Sequence, residues 1–228
     1  MSKLFLDNSE IDKTIRLIRR LLRTSMNGVV ADSMRDKGIE YKMNWGVSLP
    51  RIKEIAANYT GRLDLAERLW AQGARETMIM ATLIAPVDKF EEKMAFDWVR
   101  DVNNIELAEQ LSMNLLSRLP YQSNLSLECI SAENIWTKIT GFTLAARIWK
   151  EYSDEQAEKL ILMAIQHAQS PEFLLYKSIA NALARLCRRN EATAQKVSEK
   201  IQQIENKEQA SVAYIVNEIS NEVSFLNF

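Results

Sequence analysis

Apolar residues recur at the spacing of an α-helix along nearly the whole chain. Between Asp154 and Gln169 they follow the i, i+3, i+4, i+7 pattern that places side chains on one helical face: Ala157, Leu160, Ile161, Ala164, Ile165 and Ala168. The pattern continues from Pro171 to Cys187, and no run of β-branched residues alternates strictly with polar ones. The spacing therefore predicts a series of helices joined by short connections.

Capping residues mark where these helices begin and end. Ser153, with Gln156 three residues later, predicts a capping box. The segments Ser48-Leu49-Pro50 and Ser170-Pro171 each predict a helix with proline in its first turn. Three glycines occupy predicted helix ends: Gly38, Gly61 and Gly73.

From Pro86 onward the predicted helices fall into pairs, with pair boundaries near Pro120, Ser153 and Asn190. A spacing of roughly 35 residues is typical of two-helix solenoid repeats. Since each pair is apolar on one face, it buries that face only by stacking on its neighbours. We predict one all-α domain over residues 1–228, an α-solenoid with N-terminal helices in 1–85 and about four helical pairs in 86–228. Periodicity alone leaves a compact helical bundle open as the alternative.

The composition agrees with a helical, cytoplasmic protein. The chain has 228 residues with only 6 Gly and 4 Pro, whereas average usage is roughly 12% for the two together. Cys129 and Cys187 are its two cysteines, too few for a disulfide framework, which indicates a reducing compartment. The longest apolar stretch, Met78 to Val87, is about half of the roughly 20 residues that span a bilayer. We expect no membrane association.

The sequence contains no motif for a metal or a cofactor. The patterns GxxxxGK[ST], GxGxxG and HExxH are all absent, and His167 is the sole histidine. A zinc site or a Ser-His-Asp triad therefore lacks its ligands or its base. We predict no metal and no cofactor, and we expect His167 at the boundary of a helix surface.

Two arginine clusters are the clearest candidates for binding. The first lies on one face of the first predicted helix, without an interleaved acid: Arg16, Arg19, Arg20 and Arg23. It is compatible with phosphate or acidic-partner binding, or with an ordinary solvated face. The second crowds the end of the helix that follows Pro171: Arg185, Arg188 and Arg189. Cations there are also favoured by the helix dipole, so this cluster has a purely structural explanation as well.

The near-neutral net charge of -1 hides an uneven distribution. Residues 1–80 hold 14 Lys and Arg against 10 Asp and Glu, whereas residues 81–160 hold 8 against 13. The basic excess therefore lies in the segment that carries the first arginine cluster.

Four segments, in order, resemble the DNA alkylation repair family of HEAT-like-repeat alkylpurine DNA glycosylases. Asn44-Trp45-Gly46-Val47-Ser48-Leu49-Pro50-Arg51 is similar to the family's Gly, aliphatic, two residues, Pro, Arg/Lys opening, and Arg68-Leu69-Trp70 resembles its Glu-Leu-Trp. Glu133-Asn134-Ile135-Trp136 resembles the repeat opening that introduces a phosphate-contacting arginine. Ser170-Pro171-Glu172-Phe173 and the residues through Ile179 resemble a late repeat opening.

The resemblance implies HEAT-like two-helix repeats and a concave, positively charged groove for duplex DNA. It also implies hydrolysis of the N-glycosidic bond of cationic alkylated purines. An Asp carboxylate would stabilise positive charge on the sugar, aromatic faces would add cation–π attraction, and an arginine would hold the phosphate.

At the family's functional positions this chain differs. The Trp-x-x-x-Asp pair falls on Ile105 and Glu109, the arginine falls on Ile139, and a second tryptophan falls on Asn181. Glu109 alone keeps its chemical type and is either the catalytic carboxylate or an ordinary exposed acid. Lys138 is next to Ile139 but points about 100° away on a helix.

Two functional hypotheses follow. The first is a DNA-associated member of this family, binding duplex DNA through the arginines and Lys138, with weak or lost glycosylase activity. The second is a non-enzymatic scaffold whose concave face binds a protein, because helical solenoids commonly serve that purpose. In both, tryptophans such as Trp70 are expected to pack in the core.

Overall fold

The structure, a computed structural model, describes residues 9–226. Within them the chain forms thirteen α-helices and three short 3-10 turns, with no β-strand. The all-α prediction is therefore confirmed. The helices in chain order are α1 Ser9–Arg23, α2 Gly28–Asp36, α3 Leu49–Ala56, α4 Leu63–Trp70, α5 Arg75–Ile84, α6 Glu92–Arg100, α7 Ile105–Asn114, α8 Gln122–Ser131, α9 Ile135–Arg147, α10 Asp154–His167, α11 Phe173–Cys187, α12 Glu191–Gln202 and α13 Ala210–Phe225.

The chain divides into two compact units, the first ending at Glu91 and the second beginning at Glu92. The division is close to residue 85, where the sequence separates the N-terminal helices from the paired ones. Whether the two units act as the single domain of residues 1–228 stays a prediction.

Helix α5 is the centre of the first unit. Nine of its ten residues are buried, and α3 and α4 pack against it. Helix α1 packs on α3 and α4 through a buried stripe of Ile11, Ile18 and Leu22. These apolar contacts fix the orientation of α1, so its polar face points to solvent.

A buried ion pair at the start of α5 holds the loop that precedes α3. Glu76 is fully buried, and its carboxylate accepts hydrogen bonds from the backbone N–H groups of Trp45 and Val47 at 3.1 Å each. Arg75 donates to this carboxylate at 3.2 Å and to the carbonyl of Val47 at 2.7 Å. A buried carboxylate is tolerated when such partners satisfy it, and here they fix the loop on α5.

Gly46 lets the same loop pass against the start of α2. Its φ of +66° lies in the left-handed region, and a Cβ added there would come within 2.0 Å of the carbonyl oxygen of Asn27. The N–H of Asn27 in turn donates to the carbonyl of Trp45 at 2.8 Å. Glycine is therefore the residue that this crossing accommodates.

The helices of the second unit alternate between two rows. Row A contains α6, α8, α10 and α12, and row B contains α7, α9, α11 and α13, with neighbours packed along each row. Consecutive helices also pack between the rows, as α8 does on α9 and α10 on α11. This two-row stacking buries the apolar face of each pair against the next pair.

Helix α9 is the centre of the second unit and packs on α7, α8 and α11. Gly141 brings it close to α8, since a Cβ there would lie 2.8 Å from the backbone nitrogen of Ile130 and 2.9 Å from the carbonyl oxygen of Ser126. The Ser126 hydroxyl bonds to Tyr152 at 2.6 Å in the same buried contact. This close contact fixes α9, which carries Ile139, against α8, while α7 and α11 flank it in row B.

Most predicted helix boundaries agree with the structure. Ser153 and Gln156 form the capping box, and Pro50 lies in the first turn of α3. The prediction for Pro171 was wrong, because α11 begins at Phe173 and not at the proline. The reason is local: the N–H of Glu172 donates to the Ser170 hydroxyl at 3.3 Å, which closes a turn around Pro171 ahead of the helix.

The Glu76 contacts predict a large loss of stability on truncation. Glu76→Ala leaves the Trp45 and Val47 N–H groups without this acceptor and removes the carboxylate that pairs with the buried Arg75 guanidinium. We expect the free energy of unfolding to fall by about 3–5 kcal/mol, measured by urea denaturation. The control is Glu54→Ala, because the Glu54 carboxylate that pairs with Arg51 is 67% exposed; its expected cost is below about 1 kcal/mol. Equal effects in the two variants would contradict the assignment.

Candidate functional site

The four arginines predicted on the first helix form one surface, the arginine face: Arg16, Arg19, Arg20 and Arg23. Together with Thr24 they line an open concavity of about 460 Å³. Arg16, Arg20 and Arg23 are exposed and Arg19 is half-buried. None of the four forms an ion pair with a carboxylate among residues 9–226. The arginine face therefore presents cationic groups that nothing in the described chain neutralises.

Asp12 lies one turn before Arg16 on α1, and its carboxylate pairs with a different helix. Asp12, in the first turn, accepts from Arg68 of α4 at 3.1 Å, and that guanidinium is only 13% exposed. The ion pair ties α1 to α4. The carboxylate of Asp12 is thus paired within the unit, whereas the four guanidinium groups of the arginine face have no carboxylate partner among the described residues.

Trp45 extends the arginine face toward the loop before α3. The guanidinium of Arg23 lies 5.8 Å from the centre of its ring, within cation–π range. Trp45 is 7% exposed, and its backbone N–H donates a hydrogen bond to the Glu76 carboxylate. The sequence identified Trp45 only as part of the family-like segment from Asn44 to Arg51, and its contact with Arg23 was not predicted because it joins residues from different elements.

The family positions lie on consecutive helices of row B. Ile105 and Glu109 are one turn apart on α7; the first is half-buried and the second is exposed. Ile139 on α9 is 2% exposed, and Asn181 on α11 is exposed. Glu109 has no hydrogen bond or ion pair to another residue in the described range, and Ile139 packs in the core. At the positions predicted to differ from the family, row B therefore carries one carboxylate, one amide and two aliphatic side chains.

Lys138 lies one residue before Ile139 and is half-buried. Burial and the charge of Lys138 lower the pKa of His167 of α10, whose ring contacts Phe142 edge-on at 6.4 Å. His167 is half-buried, as expected for a boundary residue. Nucleic-acid binding by Lys138 stays a prediction.

Two of the three arginines in the second cluster form ion pairs with carboxylates. Arg188 pairs with Glu222 of α13, and Arg189 pairs with Asp154 at the start of α10 at 3.0 Å. Hydrogen bonding to Glu222 raises the pKa of Arg188. Arg185 is exposed and forms no ion pair within residues 9–226. Nucleic-acid binding by Arg185 and Arg188 stays a prediction, and Arg188 has a carboxylate partner already.

An aromatic patch formed by Phe173, Tyr176 and Tyr214 was not predicted from the sequence. The ring centres of Phe173 and Tyr176 are 5.3 Å apart, and those of Tyr176 and Tyr214 are 5.5 Å apart. The first two belong to the late repeat opening that the sequence singled out, but Tyr214 comes from α13. Only the packing of α11 on α13 brings the three rings together.

The tryptophans behave mainly as core residues. Trp45, Trp70 and Trp98 are buried, whereas Trp136 and Trp149 are half-buried. The burial of three tryptophans agrees with the expectation that they pack in the core.

Within residues 9–226 no group of three or more His, Cys, Asp and Glu side chains is arranged to hold a metal ion. Over the same range no helix has the length and apolar character required to cross a membrane.

The thirteen helices of the described residues and the stacking of helical pairs in the second unit define an all-α, HEAT-like helical-repeat protein. A solved structure described as "A new family of proteins related to the HEAT-like repeat DNA glycosylases with affinity for branched DNA structures" superposes with a TM-score of 0.77 at 15% identity. The superposition covers 92% of this chain and 93% of that one, so the α-solenoid prediction is confirmed.

The family follows from the sequence comparison. The family model described as "DNA alkylation repair enzyme" matches residues 18–212. The chain therefore belongs to the DNA alkylation repair family. A comparison with curated protein sequences finds no match.

Both cysteines are expected to be chemically inert in the folded protein. Cys129 and Cys187 are fully buried, and burial raises the pKa of each thiol to about 12. Because the thiolate is the reactive form, native protein should react with Ellman's reagent at about pH 8 at least on the order of a hundredfold more slowly than urea-unfolded protein. Fast labelling of the native state would show that one thiol is accessible to solvent.

Proposed function

We propose that this protein is a DNA-binding member of the DNA alkylation repair family whose alkylpurine DNA glycosylase activity is weak or lost. Ile139 is the observation that supports weak or lost glycosylase activity. By the resemblance it takes the position of the family's phosphate-contacting arginine, and its side chain on α9 is 2% exposed in the core of the second unit. A buried isoleucine supplies no charge to a phosphate and no donor to a reacting group.

The chemistry of the remaining family positions supports the same conclusion. Ile105 has no aromatic quadrupole with which to attract a cationic purine. Glu109 keeps a carboxylate, but the side chain is exposed. A charge in bulk water interacts with a cation 4 Å away by only about 1 kcal/mol, far less than in a dry site. One solvated carboxylate is therefore a weak means of stabilising an oxocarbenium-like transition state.

The arginine face supports the DNA-binding half. Its four guanidinium groups have no carboxylate partner among the described residues, and arginine is well suited to phosphate because its planar fork donates two parallel hydrogen bonds. The similar solved structure is of a protein with affinity for branched DNA. That protein shares the fold at 15% identity, so its ligand supports DNA as the class of partner for this chain.

Removing charge from the arginine face should weaken duplex binding and its salt dependence. In Arg16→Gln/Arg20→Gln we expect the slope of log affinity against log salt to become shallower by about 0.9 for each phosphate that the variant no longer neutralises, measured by fluorescence anisotropy with a blunt duplex. The matched control is Arg35→Gln/Arg62→Gln. These exposed arginines of the same unit already pair with Asp32 at 2.6 Å and Asp64 at 2.9 Å.

An unchanged slope in the arginine-face variant would remove this surface from the proposal. If wild-type protein shows no duplex binding at low salt and a stoichiometric protein partner is captured instead, the scaffold hypothesis replaces it.

The glycosylase half is tested by release of alkylated purine from methylated duplex DNA. We expect wild-type protein to release purine at a rate close to background, and Glu109→Gln to change that rate little. Removing a group that stabilises charge at a working site costs about 100- to 1,000-fold in rate. A decrease of that size in Glu109→Gln, from a clearly measurable wild-type rate, would show that the enzyme is active and that Glu109 is catalytic.

A further inference from the structure

Helices α11 and α13, the last two helices of row B, expose the aromatic patch of Phe173, Tyr176 and Tyr214. Phe173 is 52% exposed and the two tyrosines are half-buried. The three rings contact one another, with Phe173 and Tyr214 at 6.3 Å between centres. Large apolar groups clustered at a surface mark interaction sites more often than isolated ones do.

The packing of the two helices does not require these rings. Helices α11 and α13 each bury aliphatic residues in the unit, among them Ile179, Leu183, Val212 and Ile215, all at 0% exposure. The rings lie at the edge of this contact, where more than half of Phe173 remains in solvent. An explanation by core packing therefore accounts for the aliphatic residues and leaves the exposed rings unexplained.

The aromatic patch has cationic neighbours along α11, while the exposed acid Glu172 directly precedes Phe173 at the start of the helix. The ammonium group of Lys177 lies 5.7 Å from the centre of the Phe173 ring, and Lys177 is exposed. Arg185 lies two turns further along the exposed side of the same helix. On α13 the carboxylate of Glu218, one turn beyond Tyr214, is the nearby acid; burial, together with its charge, raises the pKa of Tyr214.

We propose that the aromatic patch binds unpaired DNA bases, which stack on its rings while Lys177 contacts the adjoining phosphate. Aromatic faces and a neighbouring cation are the elements that single-strand binding proteins combine, since every base presents a π-face and every linkage a negative charge. This site lies on α11 and α13, away from the family positions Ile105 and Ile139 and on the same helix as the family position Asn181. It rests on the proposed function only in taking DNA as the partner.

The test compares two strands of the same length. The probes are a fluorescein-labelled oligothymidylate of about 16 nucleotides, which covers the site sizes of single-strand grooves, and an abasic strand with the same phosphates. Wild-type protein should prefer the strand that carries bases. Phe173→Ala/Tyr214→Ala should reduce oligothymidylate affinity by about 5- to 100-fold and abolish the preference over the abasic strand. Blunt-duplex affinity should remain within about twofold of wild type.

Matched variants isolate the rings from the charge and from the fold. Phe225→Ala removes an 82% exposed ring at the end of α13, away from the aromatic patch, and should have no effect. Tyr176→Phe keeps the ring and should bind as wild type does. Glu218→Gln removes the local acid and should strengthen oligothymidylate binding, whereas Lys177→Gln should weaken binding to both strands.

Several results would overturn the assignment. Equal losses of oligothymidylate and blunt-duplex binding in Phe173→Ala/Tyr214→Ala would mean that the rings do not select unpaired bases. A change of oligomeric state in that variant, measured by sedimentation, would make the aromatic patch a contact between copies of the chain. No preference for bases in the wild type, with blunt-duplex binding intact, refutes this site and leaves the proposed function standing. Loss of blunt-duplex binding in Arg16→Gln/Arg20→Gln would support duplex binding by the arginine face and would not bear on the aromatic patch.

Discussion

The stacking of helical pairs on one another is the constraint on which the second unit depends. A single pair exposes an apolar face that it cannot bury alone, so each pair is stable only against its neighbours. This requirement aligns α7, α9, α11 and α13 in row B, with α9 in contact with both α7 and α11. The family positions and the aromatic patch all lie on helices of that row. Their spacing is therefore set by aliphatic packing and not by the chemistry of the side chains they carry.

In the first unit a comparable role belongs to the buried pair of Arg75 and Glu76. Its hydrogen bonds fix the loop around Trp45 and Gly46, and that loop in turn contacts Arg23 through the Trp45 ring. The arginine face itself is oriented by the apolar stripe of α1 and by the Asp12–Arg68 pair, which join this helix to the rest of the unit. Four like charges side by side repel one another, and the packing beneath them overcomes this repulsion.

The second unit shows how a packed fold accommodates an aliphatic side chain at position 139. Ile139 joins the core of the unit, where α9 is held by contacts with α7, α8 and α11. The cations of the arginine face and the rings of the aromatic patch instead lie at the surface, on α1 and on α11 and α13. Function lies in such surface positions, which can change while the packed interior stays the same.

The sequence by itself determined the helical class, the pairing of helices, most caps and the content of the arginine face. These depend on local spacing: apolar residues at 3.6-residue periodicity define one face, and the remaining residues of α1 must share the other. Tertiary structure alone decided that Arg188 is paired with Glu222, that Arg189 is paired with Asp154, and that Tyr214 contacts Phe173. Each of these contacts joins residues from different helices, and spacing along one helix contains no information about which neighbour its exposed side chains will meet.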